Sequence, residues 1–191
     1  MNVRRWLALA TLMVFPMAAA MAEQPSQGFS VFGGIASHSS NGEFTRGSPD
    51  GKSFSISSSG LSIGIDYQWP VAENVSVNVL FMGSNENASS KQVDIDSVGH
   101  GVYAVEGRYG FGDYFAGAHV GYYTEAVVSS KGDTSTSING AGYGYGFTAG
   151  WAKPGRGPFV AVQYDHADIV YNNAKSTLVG TRLNAGYRWG L

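Results

Sequence analysis

One stretch of the sequence decides the fold class, and it reads Leu61-Ser62-Ile63-Gly64-Ile65-Asp66-Tyr67-Gln68-Trp69. Large apolar residues occupy every odd position, while Ser, Gly, Asp and Gln occupy every even position. Successive side chains of a β-strand point to opposite faces, so this pattern predicts a strand with one apolar and one polar face. The period of two argues against an amphipathic helix, whose apolar residues recur with a period near 3.6.

The same alternation recurs in seven further runs of the chain. They lie near residues 29–38, 75–81, 100–111, 116–125, 142–151, 160–165 and 179–191. Aromatic and β-branched residues dominate one face of these runs, as is typical of strands. Each run is about ten residues long, the length that a tilted strand needs to cross a bilayer. The sequence therefore predicts an all-β protein, an eight-stranded antiparallel up-and-down transmembrane β-barrel.

The connecting segments alternate between short and long. Three are tight, at 70–74, 110–114 and 153–158, and four are longer and rich in Ser, Asn and Gly, at 39–57, 84–99, 126–140 and 166–177. Short periplasmic turns and longer surface loops are typical of outer-membrane barrels. Because lipid offers the backbone no hydrogen-bond partner, such a sheet has to close on itself. A soluble secreted barrel with its two faces reversed stays open as an alternative.

Composition and the first residues narrow the protein's class further. The chain has 191 residues, no Cys, 14% charged residues and a formal net charge of −2. The lack of Cys excludes a disulfide framework and a Cys nucleophile, and the charge gives no indication of nucleic-acid binding. Arg4 and Arg5, the apolar run 6–15 and the small residues Ala20 and Ala22 predict a signal peptide over residues 1–22. Residues 23–191 would then form the outer-membrane barrel domain.

Aromatic residues cluster at the predicted strand ends beside the short turns and the C-terminus. They share the apolar face: Tyr67, Trp69, Tyr109, Phe111, Trp151, Tyr187 and Trp189. Amphipathic rings collect at the membrane–water interface, so these residues are predicted to form the inner girdle of the barrel.

The final run, 184–189, reads Asn-Ala-Gly-Tyr-Arg-Trp and resembles the C-terminal assembly signal of bacterial outer-membrane proteins. The chain from Gly28 to Leu191 as a whole resembles the small eight-stranded outer-membrane barrels. These include the attachment-invasion and opacity-like proteins and the transmembrane part of OmpA-like proteins. The resemblance implies localisation in the bacterial outer membrane, among lipids and lipopolysaccharide. It further implies recognition of the last strand by the barrel-assembly machinery, and adhesion to a host or surface ligand through the loops.

A set of charged residues falls on the predicted inward face. It comprises Asp66, Glu106, Arg108, His119, Asp165, Arg182 and Arg188. Unpaired buried charges are very costly, so these groups are expected to pair and fill the lumen. Gly142, Gly144 and Gly146 are expected to make room on the same face for larger groups opposite. A gated, narrow porin-like channel is the alternative interpretation of the charged residues.

One short motif suggests catalysis. His38-Ser39-Ser40-Asn41 resembles the His-x-Ser-Asn motif of outer-membrane lipid A deacylases. The resemblance implies that Ser40 is a nucleophile and His38 its base, with Glu43 orienting the histidine. However, the alternation places His38 on the lumen-facing side of its strand, whereas lipid A would approach from the opposite, lipid-facing side. We therefore interpret the motif as a polar strand end, and a lipid hydrolase stays open as an alternative.

The four histidines, His38, His100, His119 and His166, show no metal-ligand spacing, so neither a metal site nor a cofactor is predicted. The function that the sequence favours is a non-enzymatic one. It is that of a small outer-membrane barrel with a structural or adhesin-like surface-interaction role.

Overall fold

The computed structural model describes residues 26–45, 53–91, 94–131, 134–153 and 155–190. Eight strands follow in chain order: β1 (Gly28–Phe44), β2 (Ser53–Ala72), β3 (Val75–Ser90), β4 (Ser97–Phe111), β5 (Tyr114–Lys131), β6 (Thr134–Ala152), β7 (Gly157–Val170) and β8 (Ala174–Gly190). Each strand pairs antiparallel with the next, and β8 pairs with β1 to close the barrel. The predicted fold class is therefore confirmed. The predicted signal peptide, residues 1–22, and Leu191 lie outside the described residues.

No helix that could cross a membrane occurs in the described part of the chain.

The strands are longer than the sequence pattern predicts. The predicted loop 39–57 shortens to 45–52, because β1 runs to Phe44 and β2 begins at Ser53. Similarly, the other three predicted loops shorten to the residues between the observed strands, which are 91–96, 132–133 and 171–173. The predicted loop ranges were too wide because much of the outward face there is polar, whereas inward residues such as Phe54, Ile56 and Leu178 are apolar. This alternation is the reverse of that in the lipid-facing segments, so the rule that apolar residues point outwards does not identify these strand ends.

The outer face of the barrel changes from apolar to polar along several strands, most clearly along β2. On β2, Leu61 is 73% exposed and Ile63 is 67% exposed, and the outward row then continues through Ser59 and Ser57. We call the corresponding exposed outward residues the polar collar: Ser37, Asn41, Ser53, Ser55, Ser57, Ser59, Asn85, Asn87, Ser89, Ser135, Ser137, Asn139 and Lys175. These residues lie on β1, β2, β3, β6 and β8, towards the barrel end opposite the short turns.

The apolar part of the outer face has the height of a hydrocarbon layer. The outward row from Leu61 to Trp69 covers about 27 Å along the strand at about 3.4 Å per residue. A strand tilt of about 35–45° reduces this to a band of roughly 19–22 Å. An outer face of this kind is stable in lipid rather than in water, which agrees with localisation in the outer membrane.

The aromatic residues predicted for the girdle lie on the outer face near the short-turn end. Neighbouring rings on the same strand pack together, with centroids 4.4 Å apart for Tyr67 and Trp69 and 5.0 Å apart for Tyr187 and Trp189. Trp69, Tyr109, Trp151, Tyr187 and Trp189 are at least 37% exposed, and Tyr67 and Phe111 are half-buried. This is the arrangement that a membrane-interface girdle requires.

The interior combines polar groups with an apolar cluster. That cluster includes Phe32, Phe54, Ile56, Leu80, Met82, Val98, Phe115, Phe159, Ile169, Tyr171 and Leu178. The sequence pattern predicts the charged part of the interior but does not single out these inward-facing apolar residues. Gly146 makes room for His119 as predicted, since a Cβ atom there would lie 2.4 Å from His119 Nε2.

Candidate functional site in the barrel lumen

The lumen holds three polar clusters, and the first lies towards the short-turn end. Arg108 on β4 is its centre, with Nη2 2.5 Å from Glu106 Oε2 and 3.5 Å from Asp66 Oδ2. Asn78 Nδ2 donates a further hydrogen bond to Glu106 Oε2 over 3.2 Å. The guanidinium carbon lies 4.4 Å from the centre of the Phe115 ring, close enough for a cation–π contact. One cation therefore pairs with two buried carboxylates, which are contributed by different strands.

The second cluster surrounds Asp165 on β7, whose side chain is fully buried. Arg182 on β8 donates to its Oδ2 atom. The Oδ1 atom accepts 2.9 Å hydrogen bonds from Tyr123 Oη and Gln163 Nε2. His119 Nε2 lies 3.0 Å from the same oxygen. A buried carboxylate with this many donors is well stabilised in its charged form.

The third cluster, the histidine cluster, lies nearer the collar and consists of His38, Glu86, His100, Ser58 and Ser84. The Oε1 atom of Glu86 lies 2.6 Å from His38 Nδ1, 3.1 Å from His100 Nδ1 and 2.5 Å from Ser84 Oγ. Ser58 Oγ donates to the other oxygen, Oε2, over 2.6 Å. The two imidazole rings lie 4.3 Å apart, and the histidines and the glutamate are all buried. Three strands, β1, β3 and β4, supply the ion-pairing groups.

The proposed lipid A deacylase residues do not assemble into a catalytic triad. Ser40 Oγ donates to both carboxylate oxygens of Glu125 on β5, at 2.9 and 3.1 Å, rather than to His38. His38 and Ser40 face the lumen and are buried, whereas Glu43 is exposed on the opposite face of β1. Glu43 cannot orient His38 from there, because residues an odd number apart on a strand point in opposite directions. His38 has Glu86 as its carboxylate partner instead.

All seven charged residues predicted for the lumen are buried. The structure brings six of them together in two groups: Asp66 with Glu106 and Arg108, and His119 with Asp165 and Arg182. Arg188 forms no ion pair within 4.0 Å in the described part of the chain, but it interacts electrostatically with Arg108, Asp66 and Glu106 of the first group. Its Nε atom donates to Ser30 Oγ over 3.4 Å, and its guanidinium carbon is 5.9 Å from the Phe159 ring centre.

Sequence reasoning missed four participants of the polar interior: Glu86, His100, Tyr123 and Glu125. Glu86 lies in a segment predicted to be a loop. Tyr123 was not recognised because tyrosine counts as an apolar residue when the two faces of a strand are assigned by alternation. His100 and Glu125 had the inward parity, and this was the available signal for them. Their opposing strands bring them to 3.8 Å, measured from His100 Nε2 to Glu125 Oε2.

The space left inside the lumen near Arg108 is small. A cavity of about 20 Å³ lies there, lined among others by Phe32, Asp66, Arg108 and Thr148. Such a volume accommodates about one water molecule.

Comparisons with solved structures agree with the fold described above. The crystal structure of Ail, the attachment invasion locus protein of Yersinia pestis, matches with a TM-score of 0.53 and 16% identity over 85% of this chain and 99% of that one. Neisserial surface protein A matches with a TM-score of 0.53 and 17% identity, over 85% of this chain and 97% of that one. No family model and no curated protein matches the sequence. This protein therefore has the fold of the small eight-stranded outer-membrane barrels, the class that the sequence predicted.

Proposed function

We propose that the protein is a non-conducting outer-membrane barrel that acts through its outer face and its polar collar, in a structural or surface-interaction role. The observation that carries the proposal is the hydrogen bonding between strands that are not neighbours. Ser40 on β1 bonds Glu125 on β5, and Ser62 on β2 bonds Asn184 on β8 over 3.0 Å. In a barrel of eight strands, β1 and β5 lie on opposite walls.

Side chains that meet across the lumen close it to ions. The ion pairs of Arg108 and Arg182 are buried, with side-chain exposures of 8% and 0%. Opening an aqueous path would require several of these groups to exchange their partners at once. Since eight strands enclose an interior that side chains can fill, a filled lumen is the physically expected state of such a barrel. The network therefore favours the interpretation of the lumen as rigidly filled, rather than as a narrow porin channel.

Conductance in a planar bilayer tests the closed lumen. The purified wild-type barrel, shown to be folded by its heat-dependent gel mobility, is expected to give no stable channel events. Arg182→Gln and Arg108→Gln variants provide the comparison. Stable wild-type events whose size or selectivity changes in either variant would establish the channel alternative and contradict the filled lumen.

The collar supports the surface-interaction part of the proposal. Its residues offer hydroxyl and amide groups, which form hydrogen bonds with the hydroxyl and phosphate groups of lipopolysaccharide or of other surface saccharides. They are held on paired strands rather than on free loops, so binding costs little conformational entropy. A related fold, that of Ail, has been solved in complex with the heparin analogue sucrose octasulfate. Glycan-array binding by the folded barrel, compared with a Ser57→Ala/Asn85→Ala/Asn87→Ala variant, tests this role. Equal binding, or none, would contradict it.

The barrel-assembly machinery is proposed as a partner through β8. The outward residues of this strand, among them Leu183, Tyr187 and Trp189, alternate with Asn184 and Arg188 as the resembling assembly signal does. Replacing Tyr187 and Trp189 by Ser should lower the amount of barrel in the outer membrane. The matched replacement of Tyr143 and Tyr145 on β6 should lower it less, and an equal loss would contradict a signal located in β8.

A further inference from the structure

We propose that the histidine cluster is a transition-metal site, in which His38 Nδ1, His100 Nδ1 and Glu86 Oε1 bind a divalent ion of the zinc type. The three candidate ligand atoms all lie within 4.8 Å of one another. The residues come from β1, β4 and β3, so the closed barrel alone brings them together. No two of these residues have the short sequence spacing by which metal ligands are recognised in a sequence.

The Oε1 atom of Glu86 is crowded by three close partners. The two imidazole nitrogens and Ser84 Oγ all lie within 3.1 Å of it. Asp165 Oδ1 also has three partners, but only one of them is an imidazole. At Glu86 two imidazole nitrogens, which can also act as metal ligands, converge on one oxygen. A cation between the two Nδ1 atoms and Oε1 resolves the crowding, because the imidazoles then act as neutral ligands rather than as competing donors.

The geometry is close to that of a tetrahedral zinc site. Zn–N and Zn–O bonds of about 2.0–2.1 Å place neighbouring tetrahedral ligand atoms about 3.3 Å apart. To reach that spacing, the separations of 2.6 and 3.1 Å in the structure have to widen by about 0.7 and 0.2 Å. The donor set of two imidazoles and one carboxylate suits zinc and its neighbours, whereas calcium and magnesium prefer oxygen ligands throughout.

The surroundings hold the ligands in place. Ser58 donates to Glu86 Oε2 and so orients the carboxylate, in the way that outer-shell groups orient metal ligands. The ring of His38 packs directly on Gly180, where a Cβ atom would come within 1.8 Å of His38 Cδ2. Both Nε2 atoms, of His38 and His100, are buried without a hydrogen-bond partner in the described part of the chain. Both rings face Glu86 with their Nδ1 atoms, and packing on Gly180 limits rotation of the His38 ring.

Zinc loading of the purified barrel tests the proposal. The protein is refolded with zinc chloride, dialysed against metal-free buffer, and analysed by mass spectrometry for bound metal. We expect one zinc ion per folded wild-type chain. His38→Gln, His100→Gln and Glu86→Gln are each expected to weaken zinc binding by at least about 10- to 100-fold. His166→Gln is the matched control, because His166 points to the outer face and stacks on Tyr145 with ring centres 5.1 Å apart.

Two outcomes would overturn the proposal: a folded wild-type barrel that retains no zinc, and a His38→Gln/His100→Gln double variant that retains as much as the wild type. A second measurement needs no variant to fold. Zinc X-ray absorption of the loaded wild-type protein should show two imidazole nitrogens and a carboxylate oxygen at about 2.0–2.2 Å. A spectrum without imidazole scattering would equally reject the site.

Discussion

Ser40 on β1 and Glu125 on β5 are hydrogen-bonded across the whole width of the barrel, with Ser40 Oγ 2.9 Å from Glu125 Oε2. The contact occupies the serine that a hydrolase would need as its nucleophile. It also ties together two walls of the barrel that share no backbone hydrogen bonds. The same residue that suggests catalysis in the sequence thus has a structural partner in the fold.

Ser40→Ala should destabilise the barrel without changing the lipids of the membrane. The variant removes the single hydroxyl donor that the two oxygens of the buried Glu125 carboxylate share, and an underpaired buried acceptor costs about 1–3 kcal/mol. Guanidinium unfolding of the barrel in lipid vesicles measures the free energy. Mass spectrometry of lipid A from cells that express wild type or variant measures the chemistry, and we expect identical profiles. Deacylated lipid A that appears with the wild type and disappears with Ser40→Ala would establish the hydrolase.

Arg182→Met should be strongly destabilising, by about 3–5 kcal/mol, since it leaves the buried Asp165 carboxylate without its cation. The double variant Arg182→Met/Asp165→Asn should recover much of this loss, because both charges are then gone. Arg188→Met is the control, because Arg188 contacts Ser30 and Phe159, lies in the field of the Arg108 group, and makes no ion pair with Asp165. Unfolding free energies that rank Arg188→Met equal to Arg182→Met would contradict the importance of the Asp165 cluster.

The substitutions Ile65→Arg and Ser57→Arg should destabilise the barrel to different extents, because one lies in the apolar band and the other in the polar collar. Both residues point outwards from β2, and Ile65 lies at the centre of the apolar row from Leu61 to Trp69. Arginine at the midplane of the bilayer costs about 2–4 kcal/mol, whereas near or beyond the interface it costs about 0–1 kcal/mol. Unfolding in vesicles should therefore show a large loss for Ile65→Arg and a small one for Ser57→Arg. Equal losses would mean that the band boundary is misplaced.

Gly180→Ala should perturb the barrel far more than Gly107→Ala. At Gly180 a Cβ atom would lie 1.8 Å from His38 Cδ2, whereas at Gly107 it would meet nothing within 4 Å. Forcing extra atoms into a packed interior costs about 1–3 kcal/mol. At an open, extended position, replacing Gly by Ala is neutral or slightly stabilising, because it restricts the unfolded chain. Thermal unfolding of both variants by gel mobility provides the comparison, and similar transition temperatures would show that His38 does not pack on Gly180.

The sequence predicts the strands well where one face meets lipid. Leu61, Ile63 and Ile65 reveal both the strand and its inward partners, and Asp66 is placed correctly by parity alone. The prediction weakens in the collar, because Asn85, Glu86 and Asn87 are polar on both faces of one strand. No hydrophobic period remains there, so Glu86 was assigned to a loop and its histidine partners were not recognised.

Long-range pairing is the second limit of the sequence. Glu43 is near His38 in the chain and on the wrong face, whereas Glu86 is distant in the chain and 2.6 Å away in the fold. Parity identifies which side chains enter the lumen. Which of these side chains meet depends on how far the strands are shifted relative to one another. Closure of the barrel fixes that shift, and the sequence of a single strand does not.

Gel mobility of the protein taken from the outer-membrane fraction, boiled against unboiled in detergent, tests the closed membrane barrel most directly. A barrel whose backbone hydrogen bonds close on themselves and whose lumen is tied by buried ion pairs should stay folded until heated. We therefore predict two bands of different mobility, with complete conversion to the unfolded position after boiling. A single mobility in both samples, with the protein recovered in the soluble periplasmic extract, would contradict the account and mean that the two faces of the sheet are assigned in reverse.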